Sequence, residues 1–357
     1  MGKKWDYDVP SVDLWVQVLR VLKPGGHLLS FGGTRTYHRM AVAVEDAGFE
    51  IRDMLSWLYG SGFPKSLDVS KAIDKAAGAE REVIGMRETW RPAQRKGGKG
   101  FETWLDQTES APSALTAPAT DAAKQWQGWG TALKPANEPI VLARKPLERG
   151  LTVAENVLKW GTGALNVDAG RIGTEQITSN AYRSKGNEGC MSLPGEASQS
   201  GNIYDTTIHQ GRWPANVLLD EEAAALLDEQ SGHLHGAGHA RKAKRECDAK
   251  GMFALPGDGN RFGDSGGASR FFYVAKASKR ERNAGLGDDK CTHPTVKPIR
   301  LMEYLIKLVT PPGGIVLDPF LGSGSTLVAA KRLGFSGLGI ELSQEYCEIA
   351  RRRIEGA

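Results

Sequence analysis

Two carboxylates near the end of the chain stand where a nucleoside could bind. Asp318 ends a short apolar run and precedes a glycine-containing turn, and Glu341 follows 23 residues later, at the end of a second apolar run. Glycines let the backbone of a turn approach a ligand. A carboxylate at the end of the following strand can accept hydrogen bonds from ribose hydroxyls. The pattern predicts a strand, a ligand-binding turn, a helix capped by Ser325 or Thr326, and a second strand.

The ligand of this turn is predicted to have an uncharged or cationic tail. No Gly-Lys-Ser/Thr sequence follows the turn, so no lysine is placed on a phosphate, and Asp318 stands where a pyrophosphate would approach. S-adenosylmethionine meets both requirements. Phe320 is either an ordinary core residue or an aromatic surface for the adenine ring. The predicted cofactor-binding residues here are Asp318, Pro319, Phe320, Gly322, Ser323, Gly324, Ser325, Thr326 and Glu341.

The segment before the turn extends this pattern. Residues 293–298 read His-Pro-Thr-Val-Lys-Pro and lead into apolar residues at helical spacing, which end at the Pro-Pro-Gly-Gly of residues 311–314. The order HPTVKP, helix, DPFLGSGST and GLGIEL resembles the cofactor half of the amino-group DNA methyltransferases, in the circularly permuted (beta-class) order that places this half last. The resemblance is to a phage or prophage form of the family. It adds His293, Thr295 and Lys297 to the expected cofactor-binding residues.

Other segments also look like parts of those enzymes. They are WLYGSGFPKS (57–66), ALKPANEPIVLARKPL (132–147), RWPANVLLDEE (212–222) and RFFYVAKASKRER (270–282). The resemblance implies an α/β three-layer sandwich with a mostly parallel, Rossmann-like methyltransferase sheet. It implies a catalytic half at 1–150 with an insertion at about 60–135, a target-recognition region at 151–284, and a cofactor half at 285–357.

The implied reaction is site-specific methylation of double-stranded DNA, as in restriction-modification. A methyl group would pass from S-adenosylmethionine to an exocyclic base nitrogen, with adenine N6 favoured over cytosine N4. Because that nitrogen is paired inside a duplex, the base must be flipped out. The alternatives are methylation of RNA by the same core, and a non-catalytic DNA- and cofactor-binding protein from a truncated gene.

The catalytic tetrapeptide of the family is not found in this sequence. In the permuted order a strand ending in Asp/Asn/Ser-Pro-Pro-aromatic should come shortly before a stretch such as residues 1–6. Residues 6–10, Asp-Tyr-Asp-Val-Pro, have neither the paired prolines nor the spacing. No catalytic residue is therefore assigned, and we expect the tetrapeptide upstream of Met1, in a strand between those at residues 27–31 and 315–320.

Composition narrows the partners and the compartment. No apolar run approaches the roughly 20 residues that span a bilayer, and the four cysteines are scattered, which favours a cytoplasmic protein with free thiols. The net charge of +4 is too small to identify a nucleic-acid partner. Local clusters are more informative, because phosphate contacts need Lys and Arg. The expected DNA-binding residues are Arg241, Lys242, Lys244, Arg245, Lys276, Lys279, Arg280 and Arg282.

Periodicity predicts further elements along the chain. Helices are expected near 12–22, 36–47 and 221–230, and strands at 27–31 and 49–57, the second paired with 140–143 as an antiparallel hairpin. Residues 108–125 and 179–203 are predicted to be disordered or mobile loops because Ala, Thr, Ser, Pro, Gly and Asn dominate them. His233, His235, His239 and Cys247 match no standard zinc spacing, so no metal site is predicted.

Overall fold

The computed structural model describes residues 8–60, 62, 66–86, 114–182, 204–233, 265–275, 281, 283–286, 291–293 and 295–357. The chain divides into two compact units. Unit 1 comprises residues 1–61 and 136–357, and unit 2 comprises residues 62–135. In the part of the chain that the structure describes, no helix is both long and apolar enough to cross a membrane.

The described strands and helices are numbered here in chain order. The strands are β1 His27–Phe31, β2 Glu50–Leu58, β3 Val83–Met86, β4 Ala114–Thr116, β5 Asn137–Arg144, β6 Ile172–Tyr182, β7 Tyr204–Arg212, β8 Val217–Asp220, β9 Tyr273–Ala275, β10 Ile315–Asp318 and β11 Ser336–Gly339. The α-helices are α1 Val12–Val21, α2 Tyr37–Asp46, α3 Val69–Ala76, α4 Asp121–Gln125, α5 Val153–Trp160, α6 Glu221–Ser231, α7 Ile299–Val309, α8 Ser325–Arg332 and α9 Gln344–Glu355.

A five-stranded sheet in the order β1-β5-β2-β8-β9 forms the centre of unit 1. β5 is antiparallel to both neighbours, and β2, β8 and β9 are parallel to one another. The predicted hairpin is confirmed, since Leu55 pairs with Ile140. β1, β2, β8 and β9 run in one direction and β5 runs against them, so the sheet is mostly parallel, as expected, with one antiparallel strand.

Two hydrophobic cores cover the two faces of this sheet. Neighbouring residues of a strand point to opposite faces, and Ile140 and Val141 of β5 belong to different cores. Val141 packs with residues of α1 and α2, including Trp15. Ile140 packs with residues of α7 and α8, including Leu305. Helices therefore cover both faces, which confirms the three-layer α/β architecture.

The range predicted for target recognition, 151–284, contributes to the core. β8 and β9 lie within it and extend the central sheet beside β2. Their apolar residues explain this placement, because Leu218 and Ala275 are buried in the core shared with α7. The same range also contains the β6–β7 hairpin. The range is thus not wholly separate from the central sheet.

Unit 2 contains α3, the antiparallel pair β3–β4 and α4. Asp74 of α3 is buried and organises the unit, because it accepts hydrogen bonds from the backbone of Ala119 and Thr120 and forms an ion pair with Arg81 at 2.6 Å. The expectation of a disordered loop at 108–125 was wrong for residues 114–125. Polar contacts to one carboxylate order this segment, and its composition gave no apolar signal. The predicted loop at 179–203 was also wrong for residues 179–182, which extend β6 and pair with β7. Residues 108–113 and 183–203 lie outside the described residues.

Candidate functional site

The glycine turn after β10 begins with a carboxylate held by its own backbone. Asp318 Oδ1 accepts a hydrogen bond from the N–H of Phe320 at 3.0 Å. Burial raises the pKa of Asp318, the nearby Glu341 adds to the rise, and hydrogen bonds from Thr326 and Phe320 oppose it. β10 and β11 are parallel neighbours, joined by α8. The predicted strand–turn–helix–strand unit is therefore present, and both carboxylates lie at the same edge of this pair.

Glu341 closes the turn from the end of β11. Its Oε2 accepts from the N–H of Gly322 and its Oε1 accepts from the N–H of Ser343, both at 2.8 Å. A carboxylate oxygen has a second lone pair, so each oxygen retains capacity for one further donor. The arrangement fixes the carboxylate while leaving it able to accept from hydroxyl groups.

Gly322 of the turn lies close to His293 of the HPTVKP segment. Its φ of +52° lies in the left-handed region, and a Cβ atom there would stand 2.8 Å from His293 Nε2. The His293 ring meets the edge of Tyr346 in α9, with 4.6 Å between ring centroids. Thr295 is exposed, and its N–H donates to His293 Nδ1 at 3.3 Å. The structure thus brings His293 to the turn, and Thr295 contacts His293.

The start of α8 differs from the prediction. Neither Ser325 nor Thr326 caps the helix, because both lie within its first turn and the N-cap is Gly324, at φ +80°. A Cβ atom on Gly324 would stand 3.0 Å from that of Ala350, so α9 packs closely here. The Thr326 hydroxyl interacts with Asp318 instead.

Arg353 of α9 donates hydrogen bonds to the turn, a role that the sequence analysis did not predict. This α9 residue is 2% exposed. Its Nη1 donates to the Ser323 carbonyl at 2.5 Å and to Ser325 Oγ at 3.3 Å. The buried guanidinium therefore satisfies polar groups at the two buried serines of the turn. The available signal was helical spacing, because Ala350 and Arg353 lie one turn apart on the buried face of α9.

Large apolar side chains flank the carboxylates at the surface. Phe320 is 51% exposed and meets Trp15 edge-on at 6.1 Å, so it is not an ordinary core residue. Ile340 and Leu342, on either side of Glu341, are 51% and 100% exposed. Ile340 and Leu342 were not among the predicted site residues, although the alternation of apolar and charged residues around Glu341 is visible in the sequence. Together with the turn they form an apolar surface beside hydrogen-bond acceptors, which suits a nucleoside.

Lys297 is engaged elsewhere than at the turn. Its ammonium pairs with Glu138 at the start of β5. It also lies over the rings of Phe31 and Trp57, at 4.5 and 5.5 Å from their centroids. Its contacts are thus with the central sheet, which makes it a poor match to the predicted cofactor role.

The expected DNA contacts fall outside the described residues. These are Arg241, Lys242, Lys244, Arg245, Lys276, Lys279, Arg280 and Arg282. Their predicted roles therefore stay predictions. His235, His239 and Cys247, considered above as metal ligands, also lie outside the described residues.

Comparison with known proteins gives relatives along nearly the whole chain. The type II methyltransferase M.HindIII of Haemophilus influenzae is 25% identical over 336 residues, which are 94% of this chain and 65% of that protein. The chain thus spans a little under two thirds of that relative's length. The type II methyltransferase M2.DpnII of Streptococcus pneumoniae is 52% identical over 63 residues, 18% of this chain and 24% of that protein.

Solved structures are similar at low TM-scores. An M1.HpyAVI–SAM complex is 14% identical, with 96% of this chain and 81% of that chain covered, at a TM-score of 0.36. The cytosine-N4-specific PvuII DNA methyltransferase is 11% identical, with 96% and 70% covered, at 0.38. The sequence model of the DNA methylase family, N6_N4_Mtase, matches residues 6–352. Because this match spans almost the whole chain, the protein belongs to the DNA methylase family.

Proposed function

We propose that the protein transfers a methyl group from S-adenosylmethionine to an exocyclic amino nitrogen of a base in double-stranded DNA. The observation that best supports this proposal is the turn between β10 and α8. There Gly322 lies close to His293, and its N–H donates a hydrogen bond to Glu341. A side chain at position 322 would occupy the space between the turn and the His293 ring. The residues present fit an adenosyl cofactor, because acceptors for the ribose lie beside the exposed side chains of Phe320 and Leu342.

Each group of the turn has a distinct part in this proposal. Glu341 accepts from the ribose hydroxyls, and Phe320, Ile340 or Leu342 packs on the adenine. Asp318 and Arg353 hold the backbone of the turn in place. When bound, the cofactor supplies an electrophilic methyl group: the base nitrogen forms the new N–C bond, the C–S electron pair returns to sulfur, and the amine releases a proton. Positioning supplies most of the catalysis in such a displacement.

The permuted arrangement and the upstream tetrapeptide are part of the proposal. Among the described strands, β1 pairs only with β5, and β10 pairs only with β11. Val316 of β10 and Phe31 of β1 nevertheless pack against one core. Two strands that share a core, each with an unpaired edge, support a strand between them that carries the Pro-Pro-aromatic tetrapeptide. A phage or prophage origin and a cytoplasmic location rest on the resemblance and on composition.

Labelled methyl transfer tests this proposal. A protein extended at its N-terminus to include the tetrapeptide should transfer labelled methyl groups from S-adenosylmethionine to unmethylated DNA, whereas the chain from Met1 should show little transfer. Nucleoside mass spectrometry should detect N6-methyldeoxyadenosine, and N4-methyldeoxycytidine would overturn the adenine preference. Cofactor and DNA binding without transfer by the extended protein would favour the non-catalytic alternative. Transfer to RNA alone would favour the RNA alternative.

A further inference from the structure

We propose that five residues at one edge of the central sheet form a pocket for the flipped base. They are Phe31, Trp57, Tyr59, Glu138 and Lys297, and we call them the sheet-edge cluster. The ligand class is a base that presents an exocyclic amine beside a ring-nitrogen acceptor, as adenine and cytosine do. This inference rests on the proposed function and names the groups that hold its substrate.

Strand register places the cluster on a single face. Trp57 pairs with Glu138, so these two side chains share a face. Phe31 pairs with Ile140, two residues along β5 from Glu138, and therefore lies on that face too. Tyr59 follows two residues after Trp57, and their rings are 5.4 Å apart. The cluster thus lies where β1 and β2 end, the edge at which open α/β sheets bind ligands.

A fixed ion pair lies among the aromatic rings of the cluster. The Lys297–Glu138 pair is about three-quarters covered, with side-chain exposures of 22% and 24%. The ammonium lies over the rings of Phe31 and Trp57. Burial raises the pKa of Tyr59, and the Glu138 carboxylate raises it further, so Tyr59 stays a neutral phenol. Aromatic rings beside a carboxylate that an ion pair holds in place suit a flat base with polar groups at its edge.

The indole N–H of Trp57 is available to donate to a ligand. Trp57 Nε1 is buried and has no hydrogen-bond partner within the part of the chain that the structure describes. Tryptophan N–H groups usually find a partner when buried, because an unmade hydrogen bond is costly. The cluster therefore offers a donor from Trp57 and an acceptor from the second oxygen of Glu138. Adenine N1 and N6, or cytosine N3 and N4, present the complementary pair, whereas thymine has no exocyclic amine.

The HPTVKP segment connects the cluster to the cofactor turn. His293 contacts Gly322 of the turn, and Lys297 is part of the cluster. Three residues separate these two positions, so their Cα atoms, four steps apart along the chain, are at most about 14 Å apart. A cofactor on the turn and a base in the cluster therefore lie within reach of each other.

Fluorine NMR tests the pocket independently of methyl transfer. The full chain is labelled with 5-fluorotryptophan, and the spectra of Trp57→Phe and Trp213→Phe assign two resonances. Deoxyadenosine, deoxycytidine and thymidine are then added at millimolar concentration. We expect the Trp57 resonance to shift with deoxyadenosine or deoxycytidine and not with thymidine, and to shift little in Glu138→Leu. The resonance of Trp213, which is 68% exposed, should not change.

Two outcomes would overturn the inference. If the Trp57 resonance shifts with no nucleoside, the cluster does not bind a base. If it shifts equally with thymidine, the binding is stacking without selection for an exocyclic amine. In the active extended protein, Trp57→Phe should lower kcat/KM for DNA about tenfold, with unchanged calorimetric affinity for S-adenosylmethionine and unchanged activity in Trp213→Phe. If the extended protein without substitutions transfers no methyl group while Trp57 still responds, the proposed function is refuted but the pocket is kept.

Discussion

Substituting Gly322 by alanine tests whether close contact with His293 shapes the cofactor turn. The φ of +52° is unfavourable for any residue with a Cβ, at a cost of about 1–2 kcal/mol. The new methyl group would also stand 2.8 Å from His293 Nε2, so the ring must move away from its packing on Tyr346. Overpacking of this kind costs about 1–3 kcal/mol. We therefore expect Gly322→Ala to lower the free energy of unfolding by about 2–5 kcal/mol.

Gly334 provides a matched control within the same unit. Its φ is +77°, and a Cβ there would meet nothing within 4 Å. Gly334→Ala should therefore lower the unfolding free energy by only the backbone cost of about 1–2 kcal/mol. Urea denaturation with linear extrapolation measures both variants. Calorimetric titration should show cofactor affinity reduced about tenfold or more in Gly322→Ala, because the strained turn would displace the backbone N–H that holds Glu341, and unchanged in Gly334→Ala.

A double substitution isolates the contact with His293. Replacing His293 by alanine in the Gly322→Ala background should recover about 1–2 kcal/mol relative to additivity, because the clash is removed while the backbone cost stays. Equal stability and equal cofactor affinity in Gly322→Ala and Gly334→Ala would refute the reasoning.

The remaining predictions concern the cofactor, unit 2 and DNA. Glu341→Ala should weaken S-adenosylmethionine binding by about 1–3 kcal/mol, with Glu341→Gln intermediate because it keeps one acceptor oxygen, and unchanged calorimetric affinity would contradict the assignment. Burial raises the pKa of Asp74, but hydrogen bonds from Ala119 and Thr120 and the charge of Arg81 outweigh it and lower the pKa from 3.8 to about 2. Asp74 therefore stabilises the fold above its unfolded pKa, and this stability should be lost as pH falls from about 4 towards 2; acid unfolding followed by tryptophan fluorescence should be less steep in Asp74→Asn, and identical curves would speak against this. Replacing Lys276, Lys279, Arg280 and Arg282 by glutamine should weaken DNA binding for all sequences and flatten its salt dependence, and an unchanged slope in mobility-shift titrations would make the cluster ordinary surface.

Local patterns in the sequence were sufficient to predict α7 and the strand–turn–helix–strand unit from β10 to β11. The apolar run, the glycines and the second apolar run correctly indicated β10, the turn and β11. Helical spacing correctly indicated α7, in which Leu301, Tyr304, Leu305 and Leu308 are all buried. These signals work because they depend on neighbours within one or two turns of the chain.

Contacts between distant or polar residues could not be predicted in this way. Arg353 follows two other arginines, and Arg351 forms surface ion pairs with Glu348 and Glu355, so hydropathy does not mark the third as buried. The Lys297–Glu138 pair joins residues far apart in sequence, through a sheet whose register only the fold determines. Ordering of residues 114–125 depends on one distant carboxylate rather than on apolar periodicity.

The hydrogen bond between Tyr59 N–H and the Ala136 carbonyl affects how the chain can reach its native state. This 3.1 Å bond ends the β2–β5 hairpin on either side of unit 2. Closing a flexible loop of about 75 residues costs roughly 4 kcal/mol of chain entropy, and such non-local pairing is slow. If unit 2 folds first, its compact form shortens the loop before the hairpin closes. Folding of the central sheet then becomes kinetically dependent on unit 2, and a short β-turn in place of residues 60–135 should accelerate it.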